Sequence, residues 1–249
     1  MLPQENLIRR VRQLCHDDPR LVAALMYGSF AQGKADEHSD IEFWLFFDAA
    51  PDPHAWLAAV GDTLHVVVNE FGAHVVFFPG LIRGEFHFAQ ANDISSVRSW
   101  PALSGPPDRM IVVDRTGELR QALESLPAEP PHPTTPAEVA EVCGRFANWL
   151  LLAHHVTARG ELLRAADALT HADRHLLWMV RLAENRTDHW LTPSRQAEAD
   201  LPPNVIQALG KDPATTWALG RRYWQQLAHR HDFPVPEALF HELDAAING

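Results

Sequence analysis

Apolar residues recur at helical spacing from the start of the chain. Leu7, Ile8, Val11, Leu14 and Cys15 fall on one side of a predicted helix over residues 4–17, and Asp17-Asp18-Pro19 ends it. Residues 21–27 are a short, mostly apolar run that predicts a buried strand, broken by Gly28-Ser29. Residues 30–34 have room for a helical turn or two, and residues 41–47 predict a second strand. Residues 53–69 predict a helix with Trp56, Leu57, Val60 and Leu64 facing inward, although its β-branched end at 64–68 also suits a strand. Further strands are predicted at 73–78, 85–88 and 110–114, and a helix at 117–126.

The pattern then changes. Residues 127–136 hold five prolines, Pro127, Pro130, Pro131, Pro133 and Pro136, which neither continue a helix nor donate to a sheet ladder. Thr135-Pro136-Ala137-Glu138 has the form of a helix start, with a capping threonine and a glutamate three residues on. Beyond it helical spacing dominates. Residues 137–159 place Val139, Val142, Cys143, Phe146, Trp149, Leu150 and Ala153 on one side; residues 160–185 do the same with Leu162, Leu163, Ala166, Leu169, Leu176, Leu177 and Val180. Helices are also predicted at 205–209, 214–230 and 237–247. The fold class is therefore an α/β (α+β) domain with a mixed sheet over residues 1–130, followed by an all-α helical bundle over residues 131–249.

Composition narrows the function classes. The chain is 46% hydrophobic and 21% charged, as in globular proteins, and no apolar run approaches the roughly 20 residues of a membrane span. No signal-peptide core stands at the N-terminus, so a cytoplasmic location and no membrane partner are expected. Cys15 and Cys143 are far apart and form no CxxC, which predicts reduced thiols rather than a disulfide or a thiolate metal site. The net charge of −11, with Lys34 and Lys211 as the two lysines, disfavours a nucleic-acid partner and suits a small cationic ligand. His171 and His175 stand at helical i, i+4 spacing without further metal ligands beside them. There is no GxxxxGK[ST] phosphate loop and no GxSxG nucleophile elbow.

The chemistry concentrates between Met26 and Phe43. Asp40 and Glu42 alternate with Ile41 and Phe43, so a strand projects the two carboxylates from one face and the apolar pair from the other. Paired carboxylates offer hard oxygen ligands to Mg²⁺, and phosphoryl-type transfer needs such ions on the phosphates. Gly28-Ser29, ahead of a short helix, allows close backbone approach to a phosphate and adds a hydroxyl donor. Ser39, beside Asp40, offers a second hydroxyl. Either feature alone is commonplace; the two in order, with ten residues between Ser29 and Asp40, are a rarer combination.

That combination resembles the signature of the DNA polymerase β-like nucleotidyltransferase superfamily, hydrophobic-Gly-[Gly/Ser] followed after about a dozen residues by Asp-hydrophobic-[Asp/Glu]-hydrophobic. More narrowly, Tyr27-Gly-Ser-Phe-Ala-Gln-Gly33, Ser39-Asp-Ile-Glu-Phe43, Leu81-Ile-Arg-Gly-Glu-Phe-His-Phe88 and Glu184-Asn-Arg-Thr-Asp-His-Trp-Leu-Thr-Pro-Ser-Arg195 resemble two-domain, LinB-like lincosamide nucleotidyltransferases. Many relatives have aspartate where this chain has Glu42, and both variants fit the pattern.

The resemblance implies Asp40 and Glu42 as ligands of two Mg²⁺ ions, ATP or another NTP as co-substrate, and Gly28, Ser29 and Ser39 near the triphosphate. It implies a third carboxylate from a neighbouring strand. Glu85 is the first choice, as third ligand or, preferred here, as the base that takes the acceptor's proton; Asp93 and Asp114 stand behind it. Arg195 and Arg83 are the basic candidates for the phosphates, and His87 shares a face with Glu85. The expected reaction is adenylylation of a small-molecule antibiotic acceptor, a lincosamide first and an aminoglycoside second, with the helical domain supplying acceptor contacts. Relatives often dimerise, so a homodimer is an open expectation. A rival of another class is a regulatory module of the toxin–antitoxin kind, with Arg164 and His171 as a loose motif; the intact carboxylate pair speaks against a dead enzyme.

Overall fold

The computed structural model describes residues 2–49 and 51–248. They form two compact units, Met1–Pro130 and Pro131–Gly249.

In the first unit, the described residues form a six-stranded sheet in the order β3-β4-β5-β2-β1-β6. The strands are β1 (Leu21–Met26), β2 (Ile41–Phe47), β3 (His65–Val68), β4 (His74–Phe78), β5 (Ile82–Gln90) and β6 (Ile111–Asp114). β2 and β5 run parallel, and every other neighbouring pair is antiparallel, so the sheet is mixed. Every residue of β1 is buried, as its unbroken apolar run requires of a strand covered on both faces. Helix α1 (Pro3–Asp17) contributes Ile8, Val11 and Cys15 to the core, and the short α3 (Pro53–Ala58) sets Trp56 edge-on to Phe86 and Phe88, with ring centroids 6.2 and 5.6 Å apart. The short α2 (Gly28–Gln32), α4 (Pro107–Met110) and α5 (Glu118–Glu124) complete the unit.

Three expectations change here. The helix predicted over 53–69 stops at Ala58, and Leu64, expected inward, is 62% exposed. Gly61-Asp62 breaks the helical run, and the β-branched Val66, Val67 and Val68 pair instead with Val76, Val75 and His74 of β4. β5 begins at Ile82, three residues ahead of the predicted strand. A 3-10 stretch, Ala91–Ser99, carries buried Ile94 and Val97, and the hydrophobic periodicity gave no sign of it.

The second unit is helical: α6 (Pro136–Ala158), α7 (Leu162–Glu184), α8 (Ala197–Asp200), α9 (Pro203–Ile206), α10 (Pro213–His231) and α11 (Glu237–Asn248). Thr135 caps α6: its hydroxyl accepts from the Glu138 amide at 3.3 Å, and the Glu138 carboxylate accepts from the Thr135 amide at 3.0 Å. Phe146, Leu150, Leu176, Val180, Trp217, Tyr223 and Phe240 fill the core. Trp149, Trp178 and Trp190 lie half-buried at its edge. The opening turns of α7 depart from expectation. Leu162 and Leu163 are 70% and 91% exposed, Ala166 is exposed, and Ala165, Ala168 and Ala172 face inward instead. Small residues there suit close approach to Ala153 and Val156 of α6. The fully buried Arg181 donates to the carbonyls of Pro193, Arg186 and Arg195 at 2.7, 3.0 and 2.6 Å and thereby shapes the loop that follows α7. Among the described residues, no helix is long and apolar enough to cross a membrane.

Candidate active site

The site starts at β1. That strand ends at Met26, and Tyr27 keeps an extended backbone, its amide donating to the Glu42 carbonyl at 3.0 Å. The chain then turns at Gly28, whose φ of +72° suits glycine, and α2 runs to Gly33, again left-handed at φ +72°. A Cβ on Gly28 would lie 1.5 Å from Glu42 Oε2. The missing side chain is therefore what lets the Glu42 carboxylate lie against the loop. The Gly28 amide donates to Ser104 Oγ at 2.8 Å. Ser29 sits in the first turn of α2, and its carbonyl accepts from the Lys34 amide at 3.0 Å.

Asp40 stands immediately before β2, and Glu42 lies within it. The parallel pairing of β2 with β5 sets Glu42 directly beside Glu85, Ile41 beside Gly84 and Trp44 beside His87. Strand alternation puts Glu42, Trp44, Glu85 and His87 on one face, opposite Phe43 and Phe86, which stack at 5.7 Å inside the core. Three carboxylates therefore gather at one end of this face. Farther along it stands an aromatic wall: Trp44 stacks on His87 at 4.6 Å, and Trp100, just after the 3-10 stretch, meets Trp44 at 5.5 Å and Tyr27 at 5.7 Å.

Glu85 is held from both sides. Arg83 Nη2 donates to Glu85 Oε2 at 2.8 Å, and Arg83 Nη1 donates to Asp40 Oδ2, so one guanidinium bridges two of the three carboxylates. On the other side, the Tyr27 hydroxyl donates to Glu85 Oε1 at 3.4 Å and His87 Nε2 lies 3.6 Å from the same oxygen. Burial, and then the charges of Glu85 and Glu42, push the Tyr27 phenol above its ordinary pKa and keep it a donor. Burial lowers the His87 pKa against the partial opposition of Glu85. Burial also works against the Arg83 charge, but its bonds to Asp40 and Glu85 outweigh this and raise its pKa.

The remaining predicted residues are placed less uniformly. The Ser39 hydroxyl is engaged within its own turn: it donates to Asp36 Oδ1 at 2.9 Å and accepts from the Asp36 amide at 3.0 Å. Arg195 belongs to the second unit and is exposed, with its carbonyl taken by Arg181. Asp93 stands at the start of the 3-10 stretch and accepts from the Gln90 amide at 3.3 Å, while Asp114 accepts from the amides of Gly117 and Arg120 at 2.9 and 2.8 Å; both serve local turns. His171 stacks on Trp149 at 4.2 Å, and its carbonyl engages His175 Nδ1 at 2.9 Å. Reading the sequence gave no place to Tyr27, Trp44, Trp100 or Ser104 as site residues. Tyr27 precedes the Gly-Ser turn and Trp44 follows Glu42 by two, so strand alternation could have found both; nothing local marks Trp100 or Ser104.

Among the described residues, no group of three or more His, Cys, Asp and Glu side chains is arranged to hold a metal ion. The donor chemistry nevertheless fits a hard divalent cation, because Asp40, Glu42 and Glu85 offer oxygen alone and two of them already bind a positive group, Arg83.

Residues 135–244 match the family model described as "Lincosamide nucleotidyltransferase-like, C-terminal domain". The chain resembles a two-domain, LinB-like nucleotidyltransferase. The match lies on the helical unit and supports a nucleotidyltransferase enzyme, while the Gly28-Ser29 and Asp40/Glu42 motifs lie on the sheet unit. Among solved structures, an aminoglycoside 6-adenyltransferase from Bacillus subtilis is similar at 13% identity and a TM-score of 0.42, over 97% of this chain and 96% of that one. A CCA-adding enzyme in complex with CTP is similar at 12% identity and a TM-score of 0.33, over 100% of this chain and 73% of that one. A Thermotoga maritima CCA-adding enzyme complexed with tRNA is similar at 13% identity and a TM-score of 0.29, over 98% of this chain and 72% of that one. Among curated proteins, none matches the chain.

Proposed function

We propose that the chain is a Mg²⁺-dependent nucleotidyltransferase that moves AMP from ATP to a hydroxyl of a small-molecule antibiotic, a lincosamide in the first instance. The observation that carries this reading is the side-by-side pairing of Glu42 and Glu85 on parallel strands, with Asp40 one alternation away, in front of the Gly28 turn. Asp40 and Glu42 would hold the metal. A divalent ion held there would supply positive charge against that of the triphosphate. Glu85 accepts the proton of the acceptor hydroxyl, and Tyr27, donating to the same carboxylate, orients it. The hydroxyl oxygen bonds to the α-phosphorus in line as the bond to pyrophosphate breaks, and pyrophosphate leaves. The Gly28-Ser29 turn would lie along the phosphates. Ser39 would join it only by giving up its bonds to Asp36.

The second unit is proposed to bind the acceptor, in keeping with its family match, and to be the place to look for dimerisation. An aminoglycoside acceptor is the second reading, favoured by the net charge of −11, which suits a polycation. Both readings meet one experiment. The protein is incubated with ATP, Mg²⁺ and a panel of lincosamides and aminoglycosides, and each drug is weighed for one added AMP. A single modified class names the acceptor, and no modified drug rejects the antibiotic reading. In the same assay Asp40→Asn is expected to lose at least about a hundredfold in kcat/KM, in line with removal of a group that stabilises transition-state charge. Undiminished activity in that variant would remove Asp40 from the metal site.

A further inference from the structure

Arg83 is the cation within the carboxylate cluster, and it does not fit a simple carboxylate cage. It sits on β5 two residues before Glu85, so both point to the same face. Its two terminal nitrogens engage different carboxylates: Nη1 donates to Asp40 at the mouth of β2, and Nη2 donates to Glu85 at 2.8 Å. The fork geometry of a guanidinium suits this bridging, which an ammonium point charge does not reproduce. The position is also accessible. The Arg83 and Asp40 side chains are each about a third exposed, at 35% and 34%, so the guanidinium has solvent to swing into.

A single positive group therefore already occupies two of the three carboxylates that the proposed reaction needs for a divalent ion and a base. A guanidinium and a metal ion cannot share the same oxygens at contact distance, because like charges in a partly buried site repel strongly. While Arg83 holds Asp40, that oxygen is unavailable to a metal. While it holds Glu85, that carboxylate oxygen faces the guanidinium and not an acceptor hydroxyl. Both effects end when the arginine lets go.

Resting on the metal-dependent reading above, we infer that Arg83 is a built-in competitor for the divalent cation. It neutralises Asp40 and Glu85 until metal displaces it, and so sets the metal concentration at which the site fills. Its departure also frees the Glu85 oxygen that it had occupied. Arg83 is thus a positioning residue, acting through Asp40 and Glu85 rather than on the reacting atoms.

The test uses Mn²⁺ alone, without nucleotide, on the full chain and on R83Q and R83K, with free Mn²⁺ read by electron paramagnetic resonance. R83Q is expected to bind Mn²⁺ about tenfold more tightly than the wild type, the scale on which one neighbouring charge shifts an ionic equilibrium. R83K, which keeps the charge but loses the fork, is expected to fall between them. In chelator R83Q should melt at a lower temperature than the wild type, and Mn²⁺ should raise its melting point by more. Equal or weaker Mn²⁺ binding by R83Q overturns the inference and leaves the nucleotidyltransferase reading in place. If no protein binds Mn²⁺, with or without a non-hydrolysable ATP analogue, both fall together. A further measurement follows the arginine itself in the wild type. The side-chain resonances of Arg83, assigned by their loss in R83K, should shift as Mg²⁺ saturates the site and the guanidinium leaves its two carboxylates. Resonances that stay at their metal-free positions at saturation overturn the inference.

Discussion

At Gly28 the demands of backbone and chemistry coincide. Its φ of +72° strains any L side chain, and a Cβ would stand 1.5 Å from Glu42 Oε2. Gly28→Ala should therefore do two things. It should destabilise the fold by about 1–2 kcal/mol, the cost of a left-handed non-glycine residue, and push the Glu42 carboxylate out of register. The expected outcome is a kcat/KM lower by at least about tenfold, as misplacement near 1 Å commonly gives, with melting temperature and kinetics as the two measurements. A variant as active and as stable as the wild type would show that Glu42 has no fixed place beside the loop. The Gly28 turn and the shared face of Asp40 and Glu42 were legible in the sequence because spacing and alternation are local quantities, whereas Glu85 was reached only through the family resemblance, since its place beside Glu42 depends on the pairing of distant strands. Ser104 was not: it reaches the Gly28 amide from 76 residues away, and its own neighbours spell an ordinary turn. Arg83 was legible as a basic neighbour of Glu85 but not as a bridge, since its second partner, Asp40, is 43 residues distant. The two cysteines carry a separate prediction. Burial pushes the thiols of Cys15 and Cys143 up to about 12, so almost no thiolate exists at pH 8. Iodoacetamide at pH 8 should add no mass to the native protein and two adducts in denaturant; rapid native labelling would contradict the buried placement.

Among the elements, helix propensity and sheet pairing competed most visibly after α3. The sequence pattern offered residues 64–68 to either structure, and pairing with β4 decided for a strand, a long-range outcome that local spacing does not encode. In α7 the leucines at 162 and 163 suggested an inward face, yet the alanines a turn on hold that place, because the neighbouring helix comes close enough to exclude larger side chains. The same close approach recurs where α10 crosses α6. A Cβ on Gly220 would lie 2.1 Å from Phe146 Cζ, and Phe146 is fully buried and stacked on Trp217 at 6.4 Å. Alanine at 220 would gain helix propensity of about 1 kcal/mol, but overpacking a tight core typically costs about 1–3 kcal/mol. The steric term wins, because Phe146 has no open space to move into. Gly220→Ala should lower the midpoint of thermal unfolding by several degrees; a raised midpoint would show that the Phe146 ring yields freely.

For the whole molecule the deciding quantity is charge. A net −11 with Lys34 and Lys211 as its two lysines gives the protein a field that attracts cations and repels anions at distances beyond contact. The proposed reaction brings one substrate of each kind, an amine-bearing antibiotic and a nucleoside triphosphate, so salt should act on the two in opposite directions. Raising ionic strength from about 0.01 to about 0.1 M shortens the screening length from about 30 to about 10 Å. At saturating ATP, kcat/KM for a cationic acceptor should fall severalfold over that range. At saturating acceptor, kcat/KM for the nucleotide should hold or rise, since the repulsion it meets is screened as well. A general effect of salt on the fold would move both in the same direction, so the opposed signs separate steering from damage. A polynucleotide acceptor would behave differently again: with eight or so phosphates to hold, a basic stripe would be needed, and binding would weaken steeply with salt. An acceptor term that does not respond to salt would mean that the acidic surface lies away from the route the antibiotic takes, and recognition would then rest on short-range contacts in the helical unit.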